Sequence, residues 1–423
     1  MTYQEALDFI YTDAWKGSVP GLSRIRALMA RLGDPQRPLR FVHIVGTNGK
    51  GSTASMLSSV LTEAGYRVGL FTSPYVVTFR ERMQICGKMI SPEALGEVCE
   101  LVKPVAWLDE DRPTWFELVT AVALVWFARE RCDIVILEAG MGGEFDATNV
   151  IPAPEVAVFT NIGLDHTEIL GDTVEKIALT KSGILKPGCE AVLYPNTPEV
   201  EAVIAGRCAA LGIPLHRANV EDLTVVERSI AGQSLQYGAL RFRLPLLGEH
   251  QRRNCAVVLQ VLRCLQGRGF AISSQAVCRG LETVTWPGRF EILQKQPLFI
   301  LDGGHNPQCM DALLQTAGDY LAGRPLTVIT GVLHDKDYAA MYDKTAPLAS
   351  AFFTLTPPNP RALDASELAK LLARYGKPVT VCQSAAEAVS RALAATPKNG
   401  AVLAYGSLYM AGEIRACFLP PEA

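Results

Sequence analysis

The stretch "GTNGKGST" gathers Gly46, Gly49 and Gly51 around Lys50, with Ser52 and Thr53 just behind. Backbone N–H groups exposed by glycines at the start of a helix can cradle an anion. Lys50 would then reach the outer phosphates of a nucleotide, and the Ser52 hydroxyl would bind magnesium. The strict phosphate-loop pattern joins Gly-Lys directly to Ser or Thr, whereas here Gly51 stands between them. A glycine-rich turn with a capping serine is the plain alternative. Glycines, a lysine and a serine packed together after an apolar strand favour phosphate binding.

Other residues able to do chemistry recur at the ends of apolar runs. Glu138 closes "CDIVILE", where nucleotide-hydrolysing folds place a magnesium-organising carboxylate. Ser73 ends "YRVGLFTS". Asp165 and His166 follow "EVAVFTNIGL", where a neutral imidazole could bind metal and the acid could orient it. "LDGGHNP" carries Asp302 and His305, and "GVLHDKD" carries Asp335 and Lys336, although turn chemistry favours the same residues. Lys181, in "IALTKSGILKPG", reads as an exposed helix lysine. "GMGGEFDATN" lacks the third glycine of a dinucleotide fingerprint, which removes the main support for an oxidoreductase.

Bringing these residues together requires strands that stop at a common level. "RFVHIVG", "YRVGLFTSP", "CDIVILEAG", "EVAVFTNIGLDH" and "EAVLYP" alternate with helical patterns, which predicts a mainly parallel sheet covered by helices. Ligands of such sheets bind beyond the carboxyl ends of the strands, so the polar tips should share one site. From about Leu223 the alternating "QSLQYGALRFRLPLLG" predicts a hairpin ahead of the helical "HQRRNCAVVLQVLRCLQ". Pro287 and Gly288 mark a connector. Beyond it, "PLFILDGGHNP", "LTVITGVLHD", "AFFTLTP", "PVTVCQ" and "AVLAYGSLYMAGEIR" resume the alternation. The expectation is an α/β chain of two domains, an ATP-binding one over 1–290 and a smaller one over 291–423.

A length of 423 residues exceeds the reach of one hydrophobic core. A formal charge of -3 gives no electrostatic reason to expect nucleic acid. "LVTAVALVWFA" is too short to span a bilayer and reads as a buried helix. The N-terminus lacks the basic start and apolar stretch of a signal peptide, so a cytoplasmic location is expected; a monomer with no membrane partner is the accompanying expectation. The 11 cysteines form no Cys-x-x-Cys pair and read as buried reduced thiols, not disulfides or a zinc site.

Taken in order, "GTNGKGS", "TSPYVVTFRERMQ", "LEAGMGGEFDATN", "NIGLDHTEILGDTVEKIALTKSGILKPG", "HQRRN", "PGRFEI", "LDGGHNP", "GVLHDKD" and "YGSLYMAGEIR" resemble the folylpolyglutamate synthase and dihydrofolate synthase family within the Mur ligase superfamily. The ordered series is specific although its pieces are not. The resemblance implies a P-loop ATPase domain followed by a Rossmann-like domain, with the active site between them. It also implies a reaction in which ATP phosphorylates a carboxylate of dihydropteroate or a folate and the amine of L-glutamate displaces phosphate. By position, Asn48, Gly49, Lys50 and Gly51 would bind ATP phosphates, while Ser52, Ser73, Glu138 and His166 would hold two Mg2+ ions. Lys50, Asp165, His166 and Lys181 would be the catalytic set, Lys181 as a carbamylated lysine. Asn254, Arg289 and Asp302 would contact the nucleotide, with His305 beside them. Thr114, Trp115, Phe116 and Glu117, with Phe145, Asp146 and Ala147, would take the pteroyl group, Phe116 stacking on its flat ring.

Three positions depart from the family pattern: Tyr75 where His often follows Ser-Pro, Glu144 where Arg is common, and Thr180 where Glu frequently precedes the modified lysine. Glu144 reverses a charge beside the pteroyl segment. Extension of folate glutamate tails is the first expectation, with the dual activity that also forms dihydrofolate close behind, and dihydrofolate formation as the main activity is the alternative. A muramyl-peptide ligase would carry a further domain ahead of the loop, where only about one helical hairpin of sequence stands. A P-loop ATPase that regulates a partner would leave the second domain unexplained.

Overall fold

The computed structural model describes residues 1–12, 15, 17, 19–108 and 110–419. Phe41–Val45 (β1) is buried throughout, as a parallel strand covered on both faces must be. Val68–Phe71 (β2), Met83–Ile85 (β3), Lys88–Met89 (β4), Ile134–Glu138 (β5), Val156–Phe159 (β6), Glu190–Leu193 (β7) and Leu215–Arg217 (β8) complete an 8-stranded sheet. Its order is β4-β3-β2-β5-β1-β6-β7-β8. The strands from β2 to β8 in that order run parallel, and β3 and β4 fold back as an antiparallel edge.

Consecutive strands β5 and β6 lie on opposite sides of β1. The loops leaving β1, β5 and β6 therefore diverge, and a crevice opens above β1. Continued by one or two residues, the registers Ile44↔Glu138 and Val45↔Phe159 bring Gly46, Gly140 and Thr160 to one level. Below the crevice, helix Lys50–Glu63 packs Met56, Leu57 and Val60 against Ile44 and against helix Glu249–Gly267. The opposite face is covered by helix Trp115–Arg129, the apolar segment expected to be a buried helix. Two packed faces fix the loop above them as a rigid platform.

Leu223–Ser229 (β9), Gly232–Tyr237 (β10) and Leu240–Leu244 (β11) form a separate antiparallel sheet, so the expected hairpin has a further strand. β9 exposes Thr224, Glu227 and Arg228 and so carries little apolar signal. The second large sheet contains Glu291–Lys295 (β12), Leu298–Leu301 (β13), Leu326–Thr330 (β14), Ala349–Thr354 (β15), Val379–Val381 (β16) and Ala401–Tyr405 (β17). Its order is β12-β13-β17-β14-β15-β16, with only the edge strand β12 antiparallel. β17 separates β13 from β14, which places a second crevice beyond the carboxyl end of β13.

All cysteines are free, but burial holds for only part of the set. Cys417 is exposed because it ends the last helix, and Cys86, Cys278 and Cys309 are half-buried. Among the described residues no helix is long and apolar enough to cross a membrane.

Candidate active site

Gly49, at φ 87°, turns the chain from the loop after β1 into helix Lys50–Glu63. Thr47 N and Asn48 N donate to Asn161 O at 2.7 and 3.3 Å, which ties the loop to the end of β6. Lys50 Nζ donates to Gly46 O at 3.0 Å and Thr47 O at 3.2 Å, so its charge is held inside the loop. Ser52 Oγ accepts from Gln251 Nε2 at 3.1 Å, and Gln251 Oε1 accepts from Asn254 Nδ2 at 3.2 Å. Gly51 has a packing reason: a Cβ there would lie 2.6 Å from Trp286 Cζ2, in the connector between the sheets.

Glu138 ends β5 at 4% exposure, and its Oε2 accepts the Ser73 N–H at 3.3 Å. Burial pushes its pKa up to about 7 against the pull of Lys50. Lys181 is not the exposed lysine its helix suggested. It is 3% exposed and Nζ donates to Gly46 O at 2.9 Å, from below the glycine loop. Helix Val174–Ser182 turns Ile177, Ala178 and Lys181 to one buried face, and positions three and four apart share a face. Burial, and then Lys50, lowers the Lys181 pKa to about 7.

Asp165 and His166 leave β6 toward the same crevice. Asp165 Oδ1 accepts His166 N at 3.0 Å and faces Lys336 Nζ at 3.7 Å across the two sheets. Burial would raise the Asp165 pKa, but His166 and Lys336 hold it below the usual carboxylate range. Burial lowers the His166 pKa in spite of Asp165.

From the second sheet, Asp302 follows β13 and accepts the N–H groups of Phe290 at 2.9 Å and Gly304 at 2.7 Å. His305 Nδ1 donates to Gly303 O at 2.8 Å, which leaves Nε2 as the free ring acceptor in a neutral imidazole. Asn48 Nδ2 donates to Gln308 Oε1 at 3.2 Å, while Asn306 Nδ2 and Cys309 Sγ donate to Asn48 Oδ1 at 3.4 and 3.2 Å. The two sheets thus enclose a polar cavity of about 510 Å³. Asn48, Gly49, Lys50, Gly51, Ser52, Ser73, Glu138, Asp165, His166, Asn254, Arg289, Asp302 and His305 all line it.

A second cavity, of about 420 Å³, is lined by Thr114, Trp115, Phe116, Glu117, Phe145, Asp146 and Ala147. Thr114 caps helix Trp115–Arg129 in a capping box, with Thr114 N donating to Glu117 Oε2 at 2.6 Å and Glu117 N to Thr114 Oγ1 at 3.2 Å. That cap fixes where Trp115 and Phe116 enter the cavity. A Cβ at Gly140 would lie 2.6 Å from Phe116 Cζ, so the glycine is what lets the ring approach. Asp146 accepts N–H groups from Met141 and Thr148, and His43 in β1 braces Thr148 Oγ1 at 2.9 Å. Phe145 and Ile169 stay exposed at the mouth, 52% and 55%. Glu144 is exposed and outside this lining, its Cβ packed toward Gly183. Ser73, Pro74 and Gly140 line both cavities.

Residues 44–262 match the Mur ligase middle domain and residues 288–408 the Mur ligase, glutamate ligase domain. The chain is 38% identical to the dihydrofolate synthase/folylpolyglutamate synthase of Bacillus subtilis, over 98% of each protein. The chain belongs to the dihydrofolate synthase/folylpolyglutamate synthase family of Mur ligases. It is also 34% identical to the folylpolyglutamate synthase of Lacticaseibacillus casei over 99% of both. A solved structure of this family, the Mycobacterium tuberculosis folylpolyglutamate synthase complexed with ADP, superposes with a TM-score of 0.90 at 31% identity, covering 99% of each chain.

Within this family frame, several site residues had no distinct signal in the sequence. Gln251 lies inside "HQRRN", yet only its bond to Ser52 gives it a place. Arg82 lines the aromatic cavity although "FRER" reads as a charged surface turn. Trp286 reads as part of a connector. Away from both cavities, Glu190, His216 and Cys264 bring ligand atoms within 4.8 Å of one another, but His216 Nε2 already pairs with Glu190 Oε2 at 2.9 Å.

Proposed function

We propose that this chain is an ATP-dependent carbon–nitrogen ligase that joins L-glutamate to a folate through an acyl phosphate. The observation that carries the reading is the junction of the two cavities at Ser73, Pro74 and Gly140. A carboxylate held there lies between a ring pocket and a phosphate loop. Carboxylates are poor electrophiles until phosphorylated, and phosphoryl transfer needs chiefly positioning and neutralised charge. Residues 1–290 would supply the phosphate loop and the acceptor pocket, and 291–423 the closing face. Asn48 to Gly51 would offer N–H groups to the phosphates and Lys50 a cation, released from its own loop carbonyls. Asn254, Arg289, Asp302 and His305 would hold the rest of ATP. Thr114 to Glu117 and Phe145 to Ala147 would hold the pteroyl ring, with Phe116 stacked on it.

Ser52, Ser73 and Glu138 suit magnesium by their hydroxyl and carboxylate oxygens, and His166 would add one imidazole nitrogen beside them. Glu138 supports this fit, because a buried carboxylate whose pKa is raised lacks the cation that would stabilise its charge. Magnesium bound there would supply neutralisation of phosphate charge. Lys181, with a pKa near 7, keeps a substantial neutral fraction at physiological pH. A neutral amine adds carbon dioxide and releases a proton, so Lys181 would become a carbamate that offers oxygens toward the loop. Asp165 would orient His166. The reading includes a cytoplasmic monomer acting on small molecules.

A second reading, glutamate addition to dihydropteroate by the same site, is favoured by the double name of the Bacillus subtilis relative. Both are tested by phosphate release from ATP and magnesium, with tetrahydrofolate, dihydropteroate and glutamate supplied singly and in pairs. Glutamate-dependent release with tetrahydrofolate is expected. Release with dihydropteroate alone among acceptors would replace the first reading by the second, and none with either acceptor would overturn both.

A further inference from the structure

The aromatic cavity holds buried ionisable groups that differ in how they are partnered. Glu117, 3% exposed, receives Arg24 Nε at 3.1 Å as well as the Thr114 N–H. Asp146 receives the Met141 N–H at 2.7 Å and the Thr148 N–H at 3.0 Å. Arg82, 5% exposed, has no such arrangement: its Nε and Nη1 are buried without a hydrogen-bond partner. Burial holds its pKa below the usual guanidinium range. A buried cation left without an acceptor is costly, and a protein keeps one where something anionic arrives to meet it.

The guanidinium is also held in a fixed plane. Arg82 Cζ lies 5.2 Å from the centroid of the Tyr75 ring and 4.9 Å from that of Trp115. Tyr11 braces the clamp, its hydroxyl 3.2 Å from that of Tyr75 and its ring stacked on Trp115. Such rings hold a cation by its faces and take up none of its N–H groups. The Arg82 backbone is pinned as well, since its carbonyl accepts the Thr72 N–H at 3.0 Å, one residue before Ser73. Arg82 thus lines the acceptor cavity next to the wall shared with the nucleotide cavity. A planar fork in this setting matches a carboxylate.

We propose that Arg82 is the carboxylate receptor of the acceptor cavity, its guanidinium clamped between Tyr75 and Trp115 to take a carboxylate of the pteroyl substrate. The inference rests on the function proposed above. It gives Tyr75, a departure from the family pattern, the task of stacking on that cation. The carboxylate has two sources with one chemistry: the reacting benzoate of dihydropteroate, or the α-carboxylate of the glutamyl residue of a folate.

The test is calorimetric binding to the full chain, with a non-hydrolysable ATP analogue present. The probes are dihydropteroate and its primary amide, and tetrahydrofolate and its α-amide. The unmodified chain should prefer acid to amide, on the order of 30-fold or more, in at least one pair. Arg82→Gln should abolish that preference while changing affinity for the amide and for the ATP analogue less than about threefold, and Arg82→Lys should restore part of it. Loss confined to the dihydropteroate pair assigns the reacting carboxylate, and loss confined to the folate pair the α-carboxylate; either supports the inference. Unchanged acid-to-amide ratios in Arg82→Gln would overturn it, as would an unchanged ratio in Arg82→Met should the glutamine variant not fold. If the unmodified chain binds the pteroyl compounds but shows no acid preference, the inference fails alone. If it binds none of them, the function fails first and the inference with it.

Discussion

At the scale of single residues, Lys181 shows how burial converts an ordinary side chain into a reactive one. Its pKa of about 7 makes it mostly protonated at pH 6 and mostly neutral at pH 8. The carbamate signal from 13C-labelled carbon dioxide should therefore grow across that range and be missing in Lys181→Ala. Turnover of that variant should fall on the order of 10–100-fold and recover in part with small carboxylates, because the lost group acts by supporting others. Unchanged turnover would remove the lysine from the mechanism. The uncarbamylated amine also has a linkage consequence. Between about 7 and the ordinary lysine value of 10.5 the unfolded chain binds the Lys181 proton more tightly than the folded one. Stability should thus rise with pH through that window, the whole penalty being present below it, and urea midpoints of Lys181→Met should lack this slope. Gly49 is constrained differently. Gly49→Ala places a Cβ at φ 87° and 2.6 Å from Asn254 Oδ1, a left-handed cost of about 1–2 kcal/mol before any clash. A lower Tm and weaker ATP binding are expected by calorimetry, and intact affinity would mean that the Asn254 contact does not set the phosphate site.

At the scale of elements, the start of helix Trp115–Arg129 determines the acceptor cavity. Thr114→Ala removes one half of the capping box, worth about 1 kcal/mol in a urea titration. It also frees the turn that aims Trp115 and Phe116, so the acceptor KM should rise while ATP affinity holds. A rise in both would point to general loosening instead. Glu138 could be read from the sequence because it is a polar residue at the end of an apolar strand, whereas the strand before His166 stops at Phe159 and a loop carries the imidazole to the crevice. Gln251 could not, and Lys181 only through the family resemblance, since a helix places its residues by which face meets a neighbour, and that neighbour is distant in sequence. For Lys181 a faint signal existed in its spacing from Ile177 and Ala178. Arg82 had none, because "FRER" looks like any solvated turn until Tyr75 and Trp115 close over it.

At the scale of the whole molecule, the site exists only where two sheets meet. Asn48 is held from the second sheet by Asn306, Gln308 and Cys309, and Asp165 faces Lys336 across the same gap. Such a seam can open to admit substrates and close to exclude water. Lys336→Ala should weaken the closed form by up to about 1 kcal/mol, the range of a partly exposed ion pair. Hydrogen exchange should quicken at residues 47–48 and 306–309 while β1 and β14 stay protected. Uniform exchange across these segments would show that the pair does not govern closure.

The sequence by itself determined the two alternating α/β patterns, the connector near Pro287 and Gly288, and the polar strand tips. Those features are local: strand period, turn residues and apolar runs act over a few positions. Tertiary structure alone decided that Lys181 lies beneath the glycine loop, that Gly51 makes room for Trp286, and that Glu144 stays outside the acceptor cavity. It also decided that Arg82 is buried with no hydrogen-bond partner for Nε and Nη1. Burial and the identity of a neighbour depend on how helices and sheets pack across long sequence separations, and these two quantities set the charge state and reach of every group in the site.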